Sequence, residues 1–179
     1  MTQIFFLRHA KADLGDSDLT RDLDEVGRDQ VKARWKQLEG TTFDLVVSSI
    51  APRAFSTAGK VGDVDYNKIQ ALPEMYWDIE SDIGRAIDIM FETLKYAPLS
   101  EYLKHKLGSL VRVHAEGAWS AFEKIAKTSH AINILIVGHA VLLPAMAIVP
   151  MAVSTDGVFI EKIKNLALGE AGGFVVTGK

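Results

Sequence analysis

Cysteine is absent from the 179 residues, so disulfides, thiolate metal sites and thiol nucleophiles are excluded together, and the chain suits a reducing compartment. An excess of positive charge is missing too: 20 Lys and Arg stand against 23 Asp and Glu, a formal charge of -3. A nucleic acid or an anionic membrane surface therefore gains no general attraction, and any bound phosphate has to be held by local groups. Internal repeats, low-complexity stretches and Pro/Ser-rich linkers are lacking, which favours one domain over 1–179. With 48% hydrophobic and 24% charged residues, a chain of this length can bury a sizeable core. The start meets Arg8 and His9 after a short apolar stretch and has no basic segment or long apolar run, so it does not read as a secretion signal and a cytoplasmic protein is expected. Residues 131–153 are nearly uncharged and as long as a membrane span. Gly138, His139, Pro144 and Pro150 interrupt them, and 132–137 is a β-branched run of the kind buried in a sheet, so no membrane partner is expected.

Strands and helices alternate along the chain. Residues 3–7 read as a strand, and Leu23, Val26, Val31, Trp35 and Leu38 recur at helical spacing, with Asp24 as the cap. A second strand at 44–48, a short helix at 54–61 and a third strand at 69–72, ended by Pro73, follow. Ile79, Ile83, Ala86, Ile87, Met90 and Leu94 form one helical stripe, and Ala115, Trp119, Phe122 and Ile125 another. The stretch 96–114 between them predicts a further helix with loops. Residues 132–137 read as a fourth strand, with a helix following within 142–149. Residues 158–163 and 173–177 read as closing strands. This alternation predicts a three-layer α/β/α sandwich with a mostly parallel sheet, in which ligands sit beyond the carboxyl ends of the strands.

Three predicted strands end in residues suited to chemistry: Arg8 and His9 after the first, Ser48 and Ser49 with Arg53 just beyond after the second, and Gly138 and His139 after the fourth. A parallel sheet would gather them, and two guanidiniums with two imidazoles make a donor set for a tetrahedral oxyanion. Other motifs fail. In the stretch from Ala54 to Lys60, Ala54 and Val61 stand where a P-loop needs glycine and a hydroxyl, and no Gly-x-Ser-x-Gly elbow or dinucleotide glycine pattern is present. His105, His114 and His130 lack metal-type pairing and read as surface or packing residues. Ser49 and Thr57 read either as supports for a phosphate loop or as ordinary capping and packing residues, and Lys11, Arg21, Tyr76 and Trp77 read either as parts of the pocket or as ordinary surface and core residues.

The segments Leu7-Arg8-His9-Ala10, Ser49 through Arg53 to Thr57-Ala58, Leu72-Pro73-Glu74 and Val137-Gly138-His139 together resemble the histidine phosphatase superfamily, also called phosphoglycerate mutase-like. Leu-Arg-His-Ala-Lys-Ala at 7–12 and Pro-Glu-Met-Tyr at 73–76 are similar to its compact SixA-type phosphohistidine phosphatases. The resemblance covers 2–94 and 132–143. It implies that neutral His9 attacks phosphorus and becomes a phosphohistidine, and that Arg8, Arg53 and His139 hold the phosphoryl oxygens. Glu74 would protonate the leaving group and then serve as base for water, with no metal or other cofactor required.

The implied activity is a metal-independent phosphatase acting on a phosphorylated small molecule or a phosphohistidine protein. A non-catalytic phosphate-recognition module and a phosphoglycerate mutase-type phosphotransferase are the alternatives. The stretch 96–114 is longer than in the compact members, and reads as a helical insertion that sets specificity, packs outside, or joins two copies in a homodimer. The apolar helix after His139 is open to the same reading of a face covered in an oligomer.

Overall fold

The computed structural model describes residues 1–15, 17–78, 80–95, 97–150 and 157–178. Five strands form one sheet: β1 (Gln3–Arg8), β2 (Leu45–Ser49), β3 (Gln70–Leu72), β4 (Asn133–Gly138) and β5 (Gly173–Thr177), in the order β3-β2-β4-β1-β5. The pairs β1 with β4, β2 with β4 and β2 with β3 are parallel, and β5 runs antiparallel to β1 at the edge. Alternation along β4 shows why both faces are covered. Ile134 and Ile136 join one hydrophobic cluster and Leu135 and Val137 the other, as a two-residue period requires. The expected α/β/α layering and mostly parallel sheet are what the chain forms.

One outer layer consists of α1 (Glu25–Gln37) and α2 (Pro52–Gly62). The Asp24 side chain accepts from the Gly27 amide at 2.7 Å, so the predicted cap is the actual one. The buried stripe of α1 is narrower than its apolar residues suggested: Val31 is buried, but Val26 and Trp35 are 50% and 39% exposed. Gly27 explains part of this. A β-carbon there would lie 1.9 Å from the Lys11 carbonyl oxygen, so the helix presses its backbone directly onto the chain leaving β1. Alanine would add about 1 kcal/mol of helix propensity, but the contact is with backbone and cannot be relieved by a rotamer. A Gly27→Ala protein is therefore expected to lose about 3 kcal/mol in urea unfolding, and an unchanged midpoint would contradict this packing.

The opposite layer contains α3 (Asp82–Leu94), α4 (Leu99–Lys104), α5 (Gly108–Ser129), α6 (Leu142–Ile148) and α7 (Gly157–Lys164). In the predicted stripe of α3, Ile87 and Met90 are buried, while Ile83 in the first turn is 45% exposed, beyond the packed part of the helix; Ile79 lies outside the described residues. The stretch 96–114, whose Tyr96 is also outside them, supplies α4 and the first turns of α5. It is built into the core and not laid on the outside: Leu99, Tyr102 and Val111 are buried, and the Tyr102 hydroxyl donates to the Lys95 carbonyl at 2.5 Å. The apolar helix α6 is likewise buried within this chain, through Leu142, Leu143, Ala145 and Met146.

The expectation of a strand at 158–163 is corrected, because this segment is the helix α7. Its β-branched and aromatic residues read as a strand, yet the free edge of β1 is taken by β5. The segment instead turns Ile163 into the core against α6 and pairs Lys164 with Glu161 at 2.9 Å, a contact between residues one helical turn apart. Among the described residues no helix is long and apolar enough to cross a membrane.

Candidate active site

The register of the sheet assembles the two histidines. Arg8 pairs with Gly138 at the ends of β1 and β4, and the next residues are His9 and His139, with the His9 amide bonded to the Gly138 carbonyl at 2.9 Å. Neighbouring strands lie about 4.8 Å apart, which matches the 5.3 Å between the two imidazole centroids. On the other side of β4, Ser48 pairs with Val137. This brings the Ser49 hydroxyl to 3.0 Å from His139 Nε2. A β-carbon on Gly138 would meet the Met75 side chain at 2.8 Å, so the strand end is packed tightly against the turn after β3.

Arg53 sits in the first turn of α2 and is almost wholly buried. Its Nε donates to His9 Nε2 at 3.2 Å, while the other ring nitrogen of His9 lies 2.8 Å from the Ala10 carbonyl. A guanidinium can only donate and a carbonyl can only accept, so these partners assign the tautomer: Nδ1 carries the proton and Nε2 keeps its lone pair. Thr57 braces this corner, accepting from the Ala10 amide at 3.1 Å and donating to the Arg53 carbonyl at 2.7 Å. Arg8 is buried and its Nη1 donates to the Leu168 carbonyl at 2.8 Å, which ties the C-terminal segment to the site.

These residues border a cavity of about 330 Å³. Arg8, His9, Arg53 and His139 are brought together in its wall, with Arg21 and the carboxylates Asp18, Asp88 and Glu170. Tyr76, Trp77, Ile87 and Phe91 make its apolar side, the last two from one face of α3. Glu74 is placed elsewhere. It is exposed in the 3-10 turn Pro73–Met75 and does not line the cavity. Lys11 is also outside the lining and pairs with Asp24 at 3.5 Å. The sequence reading missed Asp18, Asp88 and Glu170, which stand in no motif and no strand end; a run of aspartates from 13 to 24 was the one available signal.

Burial, then the neighbouring His139 and Arg53, holds His9 well below the usual imidazole value. Burial, then Arg53 and Arg8, lowers His139 to about 3. Both rings are therefore neutral at pH 7, as a nucleophilic lone pair requires. Behind the apolar wall, His114 packs edge-on against Trp77 with centroids 5.4 Å apart, and burial lowers it to about 4. Between pH 6.5 and these lowered values the unfolded chain binds more protons than the folded one, so stability falls as pH falls. Unfolding free energy is expected to be flat above pH 7 and to drop between pH 6.5 and 4. Replacing His114 by Phe should make that drop shallower by at most about 1.4 kcal/mol per pH unit, read from urea midpoints at pH 7 and pH 5. An unaltered slope would show that His114 is not held neutral.

A profile of the Histidine phosphatase superfamily (branch 1) matches residues 4–169. No curated protein matches the chain by sequence. Among solved structures, mycobacterial glucosyl-3-phosphoglycerate phosphatase, in complex with vanadate, is similar with a TM-score of 0.67 at 16% identity, over 99% of this chain and 93% of that one. Phosphoserine phosphatase from Entamoeba histolytica gives 0.63 at 17% identity over 98% and 90%. A protein assigned as the phosphohistidine phosphatase SixA from Agrobacterium tumefaciens gives 0.57 at 19% identity over 97% and 90%. At these identities the structural likeness establishes the fold, and the profile match over nearly the whole chain establishes the family: this chain belongs to the histidine phosphatase superfamily, branch 1.

Proposed function

We propose that the chain is a metal-independent phosphatase that works through a phosphohistidine on His9. Membership of the superfamily supports phosphatase or phosphotransferase chemistry. The observation that carries the finer reading is the unprotonated Nε2 of His9 directed at Arg53 Nε. A pure phosphate binder has no use for a lone pair aimed at its own anion cradle. In this mechanism the phosphoryl group enters above the Arg53 guanidinium, with Arg8 and His139 on its remaining oxygens. Nε2 attacks phosphorus in line, the guanidiniums balance the charge spread over the transferring group, and water then releases inorganic phosphate.

A cavity of about 330 Å³ suits a small-molecule ligand. Its substrate is a small phosphomonoester whose leaving group lies against Tyr76, Trp77, Ile87 and Phe91. The test is incubation with a labelled aryl phosphate in EDTA, acid-labile label being sought on the peptide that carries His9. Release of inorganic phosphate with label trapped on His9 is the expected result. Label on another residue, or turnover abolished by the chelator, would overturn the mechanism.

A further inference from the structure

The mechanism needs a proton for the leaving oxygen, and the carboxylates in the cavity wall are Asp18, Asp88 and Glu170. Of these, Asp18 is the one bound to the guanidinium that also holds the nucleophile. Arg53 gives Nε to His9, Nη1 to the Asp18 carbonyl at 2.8 Å and Nη2 to the Asp18 carboxylate at 3.0 Å. The guanidinium is rigid and planar. A phosphoryl group seated on this fork thus has His9 at the Nε end and Asp18 at the Nη end, the relation that in-line displacement asks of a nucleophile and a leaving-group acid.

Asp18 is not a loose surface side chain. The chain on either side of it is held together by the Asp13 amide on the Asp22 carbonyl at 3.0 Å, by Arg21 Nε on the Asp13 carbonyl at 2.8 Å, and by the bridge from Ala12 to Leu23. Ser17 and Thr20 bond to each other across its turn. Tyr76, on the turn after β3, lines the same cavity wall as Asp18, and Arg21 Nη1 stands 3.5 Å from the Asp18 carboxylate. The charged and titratable groups facing Asp18 are thus Arg53, Arg21 and Tyr76, with His9 and His139 across the fork.

We propose that Asp18 is the general acid and base of this site, in the role that family resemblance gives to Glu74; the proposal rests on the phosphatase reading above. The carboxylate occupies the Nη2 side of the fork. An incoming phosphoryl group displaces it from Nη2 and puts like charge beside it, which favours its protonation. His9 Nε2 then bonds to phosphorus as the bond from phosphorus to the leaving oxygen breaks. That oxygen takes the proton of the Asp18 carboxyl, and an alcohol departs. Water next attacks phosphorus and gives a proton to the Asp18 carboxylate. The phosphorus–nitrogen bond breaks, inorganic phosphate leaves, and His9 and the Asp18 carboxyl are restored.

The test compares phenyl phosphate with 4-nitrophenyl phosphate, alike in shape but unequal in their need for a proton on the departing oxygen. For Asp18→Asn, kcat/KM on phenyl phosphate is expected to fall by about 100-fold or more, and on 4-nitrophenyl phosphate by less than about tenfold, since loss of an acid is felt least by the better leaving group. Asp18→Glu, which keeps the carboxyl, is expected to regain part of the loss. Equal losses on both esters, or a gain on both from unplugging Arg53, would overturn the assignment, as would the same leaving-group signature appearing in Glu74→Gln and not in Asp18→Asn. A wild-type protein inactive on both esters would instead remove the phosphatase reading itself.

Discussion

A His9→Ala protein is expected to fold and to lose aryl phosphate hydrolysis by at least about 10⁴-fold, the scale on which enzymes lose rate when a covalent nucleophile is deleted. Folding is safe because the ring contributes little that the fold relies on. One nitrogen bonds the carbonyl of the next residue and the other meets Arg53 at 3.2 Å. The loss is chemical, since the remaining groups can hold a phosphate but offer no atom to attack it. Kinetics on 4-nitrophenyl phosphate and binding of inorganic phosphate separate the two parts: binding should persist while turnover and label trapping disappear. Residual turnover within tenfold of wild type would mean that His9 is not the nucleophile. The variant should also resist acid better, because an imidazole held well below its usual value has been removed.

Arg53→Ala carries the second large effect, a fall in kcat/KM of about 10³-fold or more, the range found for arginines that stabilise a transferring phosphoryl group. Three functions go together. In the proposed mechanism the guanidinium binds the transferring group, and in the structure it holds the His9 lone pair in place and anchors Asp18 through two bonds. Arg53→Lys is not expected to rescue, since an ammonium is a single point charge and cannot serve His9 and both oxygens of Asp18 in one plane. Because Arg53 also lowers both histidines by its charge, their titration should move up toward the ordinary imidazole value in either an alanine or a glutamine variant. Imidazole resonances followed by NMR from pH 3 to pH 8 check this. Unmoved titrations together with near-normal kinetics would show that the guanidinium does not govern the site.

The difference between what was readable and what was not follows from the range of the interactions involved. His9 and His139 could be placed together because each follows an apolar strand, and a parallel pair in register leaves its next residues side by side. The Asp24 cap was legible for the same local reason: a side chain and an amide three residues on. Helix α7 was misread because a short apolar run has no period long enough to separate helix from strand. Its outcome was settled by β5, which lies beyond it in the chain and takes the edge of β1. Glu74 follows β3 as its motif suggests, but the 3-10 turn that buries Met75 leaves the carboxylate exposed and outside the cavity lining.

The amino-acid order alone determined the layered α/β class, the absence of thiol chemistry and the convergence of Arg8, His9, Arg53 and His139, because these depend on hydrophobic period, composition and strand ends. The tertiary structure alone decided the His9 tautomer, the neutrality of the buried imidazoles and the presence of Asp18 on the fork of Arg53. Each of those depends on distances between residues remote in the chain: Arg53 reaches back to residues 9 and 18, and local sequence carries no measure of such distances or of the desolvation that accompanies them.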